Sequence, residues 1–148
     1  MNDFEHVEVL LVEDNQFDAE MTIRAFKKGN FNNKLFWVKD GVEALEFIRC
    51  TGPFSGRDAS HWPRIVLLDL KMPRLNGIDV LRELKGDPDT MKIPIVVMTS
   101  SDQDRDITES YRLGVNGYVT KPVQVDAFIE AVNRIGAFWL GLNLAPTE

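Results

Sequence analysis

The chain has 148 residues, of which 44% are hydrophobic and 27% charged, and its formal net charge is −6. This size suits one domain with a buried core, and the composition is typical of a folded globular protein rather than a disordered one. No apolar run approaches the ~20 residues of a membrane span, and an acidic balance without a Lys/Arg block argues against nucleic acid as a direct partner.

The first residues, MNDFEHVEVLLVED, carry acids where a secretory signal carries basic residues, so we expect the protein to stay in the cytoplasm. Its single cysteine, Cys50, has no partner for an internal disulfide, which fits a reducing compartment. We expect Cys50 to be a small buried hydrophobic residue. His6 and His61 show no metal-ligand spacing and receive no role.

Short apolar runs rich in β-branched residues alternate along the chain with longer amphipathic segments. The pattern predicts strands at Val7–Val12, Leu35–Val38, Ile65–Leu68, Ile95–Met98 and Tyr118–Thr120. It predicts helices near Gln16–Lys28, Val42–Arg49, Gly77–Lys85, Asp104–Leu113 and Val125–Leu140. Because most of these strands lack polar alternation, we expect a doubly wound α/β fold with helices on both faces of a parallel sheet.

Residues between these elements support the boundaries. Asn15 or Asp14 would cap the first helix, and the Asp40-Gly41 pair would turn the chain into the second. The segment 51–64, TGPFSGRDASHWPR, is long for a connection from a helix to a strand. A surface loop is the simpler interpretation, and a partner-binding insertion is the alternative.

Polar side chains follow four of the predicted strands: Glu13 and Asp14, Asp69, Thr99, and Lys121. In a doubly wound sheet the carboxyl ends of the strands open onto one crevice, so these residues should meet there. Asp69 ends the unbroken apolar run IVLLD, and burying a lone carboxylate is costly. We therefore expect Asp69 to serve a chemical purpose in a shared pocket.

The pocket would carry a formal charge of −2, because Glu13, Asp14 and Asp69 contribute −3 and Lys121 contributes +1. Without a bound cation, repulsion and desolvation should raise the pKa of at least one carboxylate. All side-chain donors are oxygens, so the expected ion is hard, and Mg²⁺ fits best. An aspartate beside Mg²⁺, a lysine and a hydroxyl can attack a phosphoryl group and form an acyl phosphate.

The segments LLVEDN, IVLLDLKMPRLNG, IPIVVMTSS and LGVNGYVTKP resemble, in this order, the receiver domain of two-component response regulators over residues 7–138. The resemblance implies a flavodoxin-like sheet of five strands in the order 2-1-3-4-5. It also implies a single receiver domain over residues 1–148, with no separate output domain. Asp69 would accept a phosphoryl group from a sensor histidine kinase, and Lys121 would pair with that group.

The same resemblance implies a metal site. Asp14 and Asp69 would bind Mg²⁺ directly, Glu13 would bind it through water, and the backbone carbonyl of Lys71 would be a further ligand. The Lys71 side chain places a cation two residues after the acceptor, where it would influence the lifetime of the phosphoryl group.

The resemblance also implies a switch. Thr99 would be the switch hydroxyl, and Tyr118 would be the aromatic residue that changes rotamer on activation. The Lys121–Pro122 peptide bond would be cis, as is usual in receiver domains. Activation would then reshape the face formed by the fourth helix, the fifth strand and the fifth helix.

The long loop before the third strand and the ending RIGAFWLGLNLAPTE resemble stand-alone regulators encoded with bacterial phytochrome kinases. A bacteriophytochrome would then be the kinase partner. Phe138, Trp139 and Leu140 crowd the end of a helix whose inner face is already apolar, which predicts a homodimer. The alternative is that this end packs back onto its own domain.

Other functions fit parts of the pattern. A phosphohydrolase of the haloacid dehalogenase type also uses an aspartate, a lysine and Mg²⁺, but it needs a second aspartate where this chain has Lys71. A flavodoxin-like cofactor binder would present glycines where this chain has Glu13 and Asp14. A phosphate-relay intermediate, and a receiver that binds partners without phosphorylation, are the remaining alternatives. We expect a signalling protein rather than an enzyme.

Overall fold

The structure is a computed structural model in which Phe4 and residues 6–146 are described. Its strands are β1 (Val9–Val12), β2 (Leu35–Val38), β3 (Ile65–Leu68), β4 (Ile95–Thr99) and β5 (Gly117–Thr120). Its α-helices are α1 (Gln16–Lys28), α2 (Gly41–Arg49), α3 (Gly77–Lys85), α4 (Asp104–Leu113) and α5 (Val125–Gly136). Each predicted strand and helix is present; some have the predicted bounds and the ends of the others differ by a few residues.

The five strands are parallel and lie in the order β2-β1-β3-β4-β5. In the register, Val9 of β1 pairs with Leu35 of β2 on one side and with Ile65 of β3 on the other. The residues of β1, β3 and β4 are all buried, as their unbroken apolar sequences predict. The doubly wound, flavodoxin-like fold is thereby confirmed, and the strand ends that carry the polar residues lie along one edge.

The sheet separates two hydrophobic cores. Helices α2 and α3 supply one core, where Phe47 and Leu81 are fully buried. Helices α1 and α5 supply the other, where Ala19 and Phe128 are buried. Burial of each large apolar side chain contributes about 1.5–3 kcal/mol, so both faces of the sheet are stabilised.

Side-chain caps fix where the helices near the strand ends begin. Asn15, not Asp14, caps α1, because its Oδ1 accepts a hydrogen bond from the backbone N–H of Asp18 at 2.9 Å. Asp40 caps α2 in the same way, accepting from the N–H of Glu43 at 2.9 Å. These caps hold the first turns of both helices next to the carboxyl edge of the sheet.

The segment 51–64 is packed against the domain. It contains a short 3-10 helix at Gly52–Phe54, and Phe54 lies edge-on to Phe47 of α2. The guanidinium of buried Arg57 stacks 4.0 Å from the Phe47 ring centroid and donates to the carbonyls of Phe47 and His61. A cation on an aromatic face with carbonyl acceptors anchors the loop from inside.

Cys50 differs from its sequence interpretation, and the two histidines make a contact that their spacing did not indicate. Cys50 is only partly buried, and its Sγ accepts a hydrogen bond from Arg57 Nη1 at 3.2 Å, so it is not a simple hydrophobic residue. His6 and His61 lie together, with ring nitrogens 3.1 Å apart. Fifty-five residues separate them in sequence, which is why spacing gave no sign of this contact.

The helix predicted to run to Leu140 changes geometry at its end. Helix α5 stops at Gly136 and continues as a π-helical segment, Ala137–Leu142. Leu140 is buried in the core beneath α1 and α5, whereas Phe138 and Leu142 are 47% and 76% exposed. The end therefore packs back in part and leaves an apolar surface in part.

Among the described helices, none combines the length and apolarity needed to cross a membrane.

Candidate functional site

Lys121 lies at the centre of the polar cluster at the strand ends. Its Nζ donates to Glu13 Oε1 at 2.6 Å, to Asp18 Oδ2 at 2.9 Å and to Asp69 Oδ2 at 3.1 Å. Its side chain is only 10% exposed, so these ion pairs are largely shielded from solvent. One ammonium group thus joins the ends of β1, β3 and β5 to the first turn of α1.

Asp18 is the member of this cluster that sequence analysis missed. It follows the capping Asn15 by three residues, and an acid in the first turn is already explained by the helix dipole. The available signal was its place in a helix that starts directly after β1, which directs its first turn toward the carboxyl edge. With Asp18 included, four carboxylates and one lysine give a formal charge of −3 (−4 + 1).

Three of the carboxylates form a candidate metal site. Ligand oxygens of Glu13, Asp14 and Asp69 all lie within 4.8 Å of one another. Glu13 and Asp69 are buried and Asp14 is exposed, so the site opens to solvent on one side. An all-oxygen, anionic donor set of this kind fits a hard divalent cation that keeps part of its water shell. The residues present therefore fit a divalent ion.

Burial and neighbouring charges shift the pKa values of Glu13 and Lys121. Burial and, second, the charge of Asp69 raise the pKa of Glu13 to about 8, despite its contact with Lys121. Burial alone would lower the pKa of Lys121, but its hydrogen bond to Glu13 and the charge of Asp69 outweigh that effect and raise it. The pKa of one carboxylate in the pocket is thus raised, as the charge balance predicted.

Close backbone packing holds Asp69 in position. A Cβ on Gly77 would lie 2.2 Å from the carbonyl oxygen of Asp69, so only glycine permits α3 to approach so closely. The intervening loop is fixed by Arg74, which forms two hydrogen bonds to Asp40 at 2.9 and 3.1 Å. Lys71 lies in this loop, and its backbone N–H donates to Asp69 Oδ1 at 3.4 Å.

Thr99 and Tyr118 meet at a third residue, Ser101. Thr99 is fully buried, and its Oγ1 accepts from the backbone N–H of Ser101 at 3.4 Å. The Tyr118 hydroxyl donates to the carbonyl oxygen of Ser101 at 2.9 Å. The Ser101 hydroxyl in turn contacts Asp106 of α4 at 2.5 Å. The structure thus links the two predicted switch residues to α4 through Ser101, which sequence analysis did not identify.

The Lys121–Pro122 peptide bond is trans, so the expectation of a cis bond is wrong for this structure. The two isomers of an X–Pro bond differ by only about 0.5–1 kcal/mol, and local contacts therefore decide between them. Here the backbone N–H of Lys121 donates to the Thr99 carbonyl at 2.6 Å, which aligns this residue with the end of β4.

Comparison with known proteins gives consistent matches across the chain. Residues 9–133 match the family described as response regulator receiver domain. The chain is 38% identical over 138 residues to the probable methanogenesis regulatory protein FilR2 of Methanothrix harundinacea, covering 93% of this chain and 86% of FilR2. It is 36% identical over 138 residues to the response regulator Rcp1 of Synechocystis sp., covering 93% of this chain and 92% of Rcp1.

Two solved structures superimpose on nearly the whole chain. The Mn²⁺-bound form of Rcp1 gives a TM-score of 0.87 at 34% identity, covering 94% of this chain and 98% of Rcp1. The phosphorylated cyanobacterial phytochrome response regulator RcpA gives a TM-score of 0.88 at 36% identity, covering 96% of this chain and 99% of RcpA. The similar proteins thus include a metal-bound form and a phosphorylated form of this fold.

Proposed function

The chain belongs to the family of response regulator receiver domains, and from this premise we propose that it accepts a phosphoryl group from a histidine kinase on Asp69. The observation that carries the proposal is the contact of Lys121 Nζ with Asp69, 3.1 Å apart at the strand ends, beside a three-carboxylate cluster. That arrangement supplies a nucleophile, a cation for the phosphoryl oxygens and ligands for a divalent ion in one pocket.

The reaction follows from the positions of these groups. A carboxylate oxygen of Asp69 attacks phosphorus, the new O–P bond forms, and the P–N bond of the phosphohistidine donor breaks with its electron pair going to the imidazole. Lys121 donates to a phosphoryl oxygen in place of one carboxylate partner. Mg²⁺, held by Asp14, Asp69, the Lys71 carbonyl and, through water, Glu13, would supply further charge neutralisation when bound.

Mass measurement tests this function without the cognate kinase. Incubation of the chain with acetyl phosphate and Mg²⁺ is expected to add one phosphoryl group, seen in the intact mass, and excess EDTA is expected to prevent the gain. The absence of any gain, both with acetyl phosphate and with phosphorylated histidine kinases as donors, would argue for a receiver that binds partners without phosphorylation.

A signalling role fits the site better than turnover of phosphate esters. Hydrolysis of an acyl phosphate is assisted by a general base close to the acceptor. The side chain two residues after Asp69 is that of Lys71, which is exposed and has no basic oxygen. The acyl phosphate would therefore persist long enough to act as a signal.

The partner kinase is proposed from the relatives. RcpA is a phytochrome response regulator that aligns with 96% of this chain. We place this chain in the cytoplasm with a bacteriophytochrome-type histidine kinase as its phosphoryl donor. Phosphorylation would draw Thr99 toward the phosphoryl group and change the position of Tyr118 and of the α4–β5–α5 face.

Replacement of Thr99 by Ala tests the switch. Phosphorylation by acetyl phosphate is expected to stay within about tenfold of the native rate, because the nucleophile and Lys121 remain. The NMR shift changes of Ser101 and Tyr118 on phosphorylation are expected to fall by more than half, since the hydroxyl that contacts Ser101 is gone. Ser100→Ala, at the exposed neighbouring position, is the matched control. Full shift changes in the Thr99 variant would remove Thr99 from the switch.

We also propose a homodimer formed through the π-helical segment, because Phe138 and Leu142 are exposed there. The double variant Phe138→Ser, Leu142→Ser is expected to sediment as a monomer at concentrations where the native chain is a dimer. Leu140 is kept because it belongs to the core. Val123→Ser, a fully exposed apolar position elsewhere, is the control. A double variant that associates like the native chain would contradict this interface.

A further inference from the structure

The three hydrogen bonds of Lys121 are not equivalent. Two of its acceptors, Glu13 and Asp69, belong to the three-carboxylate cluster that fits a divalent ion. Its third acceptor, Asp18, lies outside that cluster. An ammonium group has three N–H donors, so the contacts with Glu13, Asp69 and Asp18 use all of them, and one of the three goes to a group outside the cluster.

An ion in the cluster would change two of these contacts. It would attract the oxygens of Glu13 and Asp69, and its positive charge would repel the ammonium of Lys121. Asp18 is then the carboxylate that still faces the lysine, at 2.9 Å. Its side chain is 25% exposed, so its attraction for Lys121 is only partly screened by solvent.

Hydrogen bonds hold the backbone of Asp18 in place at both its N–H and its carbonyl group. Its N–H donates to Asn15 Oδ1 at 2.9 Å, and its carbonyl accepts from Thr22 Oγ1 at 2.8 Å. Thr22 is buried against the core, so the first turn of α1 cannot easily shift. The carboxylate is therefore presented from a rigid element, as a positioning group requires.

We propose that Asp18 is a positioning residue that holds Lys121 in the pocket while a divalent ion occupies the adjacent carboxylates. The inference rests on the proposed function and extends it. Asp18 is not a member of the three-carboxylate cluster that fits the ion, so its role would be exerted through Lys121. It permits two cations, the ion and Lys121, to be present together, which is the state in which Asp69 receives the phosphoryl group.

Metal affinity gives the first test, and Trp37 supplies the signal. The Trp37 indole N–H donates to the backbone carbonyl of Glu13 at 2.7 Å, so its fluorescence should respond to Mg²⁺. Asp18→Asn is expected to raise the Mg²⁺ dissociation constant about fivefold, because the unanchored lysine moves onto Glu13 and Asp69 and competes with the ion. Asp18→Glu is expected to restore part of the affinity. Glu20→Gln, an exposed charge on the same helix, is the matched control and should have no effect.

A double-mutant cycle separates positioning from simple loss of charge. In a Lys121→Met background the lysine cannot compete, so Asp18→Asn should change the dissociation constant by less than about twofold. Equal losses in both backgrounds would mean that Asp18 acts only through its charge, and would overturn the proposal. The titration needs no phosphorylation, so it can fail independently of the proposed function.

Phosphorylation kinetics give a readout that does not depend on the Lys121 variant. At Mg²⁺ concentrations that saturate the Asp18→Asn variant, its rate with acetyl phosphate is expected to remain about tenfold below native, because a misplaced lysine lowers the maximal rate. A native rate at saturating Mg²⁺ would overturn the positioning role, whereas a chain that is never phosphorylated in any form would instead refute the proposed function.

Discussion

Replacement of Asp69 by Asn is expected to abolish phosphoryl transfer, with a loss of at least about 1,000-fold in rate, because the amide has no nucleophilic oxygen to form the acyl phosphate. The substitution keeps the side-chain volume and leaves an amide oxygen that can still accept from Lys121. It also removes one negative charge from a pocket in which carboxylates repel one another. The variant should therefore fold with native or greater stability. Its loss of phosphoryl transfer will then come from the missing nucleophile and not from unfolding.

Intact-mass measurement after incubation with acetyl phosphate and Mg²⁺ checks this result. The native chain should gain one phosphoryl group and Asp69→Asn none, while Asp126→Asn, an exposed acid on α5, should behave like the native chain. A cooperative thermal unfolding transition of the variant at or above the native melting temperature excludes misfolding as the cause. A gain in the Asp69 variant comparable with that of the native chain would place the acceptor at another residue.

The ion-free protein is expected to lose stability as the pH rises from about 5 to 8, by up to about 1.4 kcal/mol per pH unit. Burial and the charge of Asp69 raise the pKa of Glu13 to about 8 in the folded state, whereas the unfolded chain ionises near the ordinary value. Between these values the folded state keeps a proton that the unfolded state releases. Higher pH therefore favours unfolding. The stability that protonated Glu13 contributes at low pH is lost as the pH passes its pKa in the folded state.

Urea unfolding in EDTA at a series of pH values measures this slope. The free energy of unfolding of Glu13→Gln, whose side chain cannot ionise, should depend less steeply on pH than that of the native chain. The difference in slope should correspond to nearly one proton over the same range. Saturating Mg²⁺ should also flatten the native curve, because the ion favours the ionised carboxylate. Glu20→Gln should leave the slope unchanged. If the native and Glu13→Gln proteins lose stability equally with pH, the site is not the source of the dependence.

The local sequence was sufficient to predict the strands and helices and the main residues of the site at the strand ends. Strand β3 and helix α3 begin and end where predicted, since an unbroken apolar run gives the strand and Asn76 caps the helix. Asp69 and Lys121 were found because parallel strands deliver their carboxyl ends to one edge. Each of these inferences needed only periodicity and the direction of the strands.

Contacts between distant segments could not be predicted in this way. Asp18 meets Lys121 across 103 residues, and Tyr118 meets the carbonyl of Ser101 from the adjacent strand end. The start of α1 directly after β1 places Asp18 near the carboxyl edge of the sheet, but no local pattern shows that its partner there is Lys121. The change to π-helical geometry after Gly136 was also hidden, because the residues that follow remain apolar and continue the helical pattern.

The sheet separates the two hydrophobic cores, so the sequence of each core can vary independently of the other. Among the described residues the two cores have no member in common, so the effects of substitutions in different cores on the free energy of unfolding should add. A change at Phe128 can be accommodated by its neighbours on α1 and α5 without disturbing Phe47 and α2. One face could therefore diverge toward a new binding partner while the other, together with the chemistry at the strand ends, stays intact.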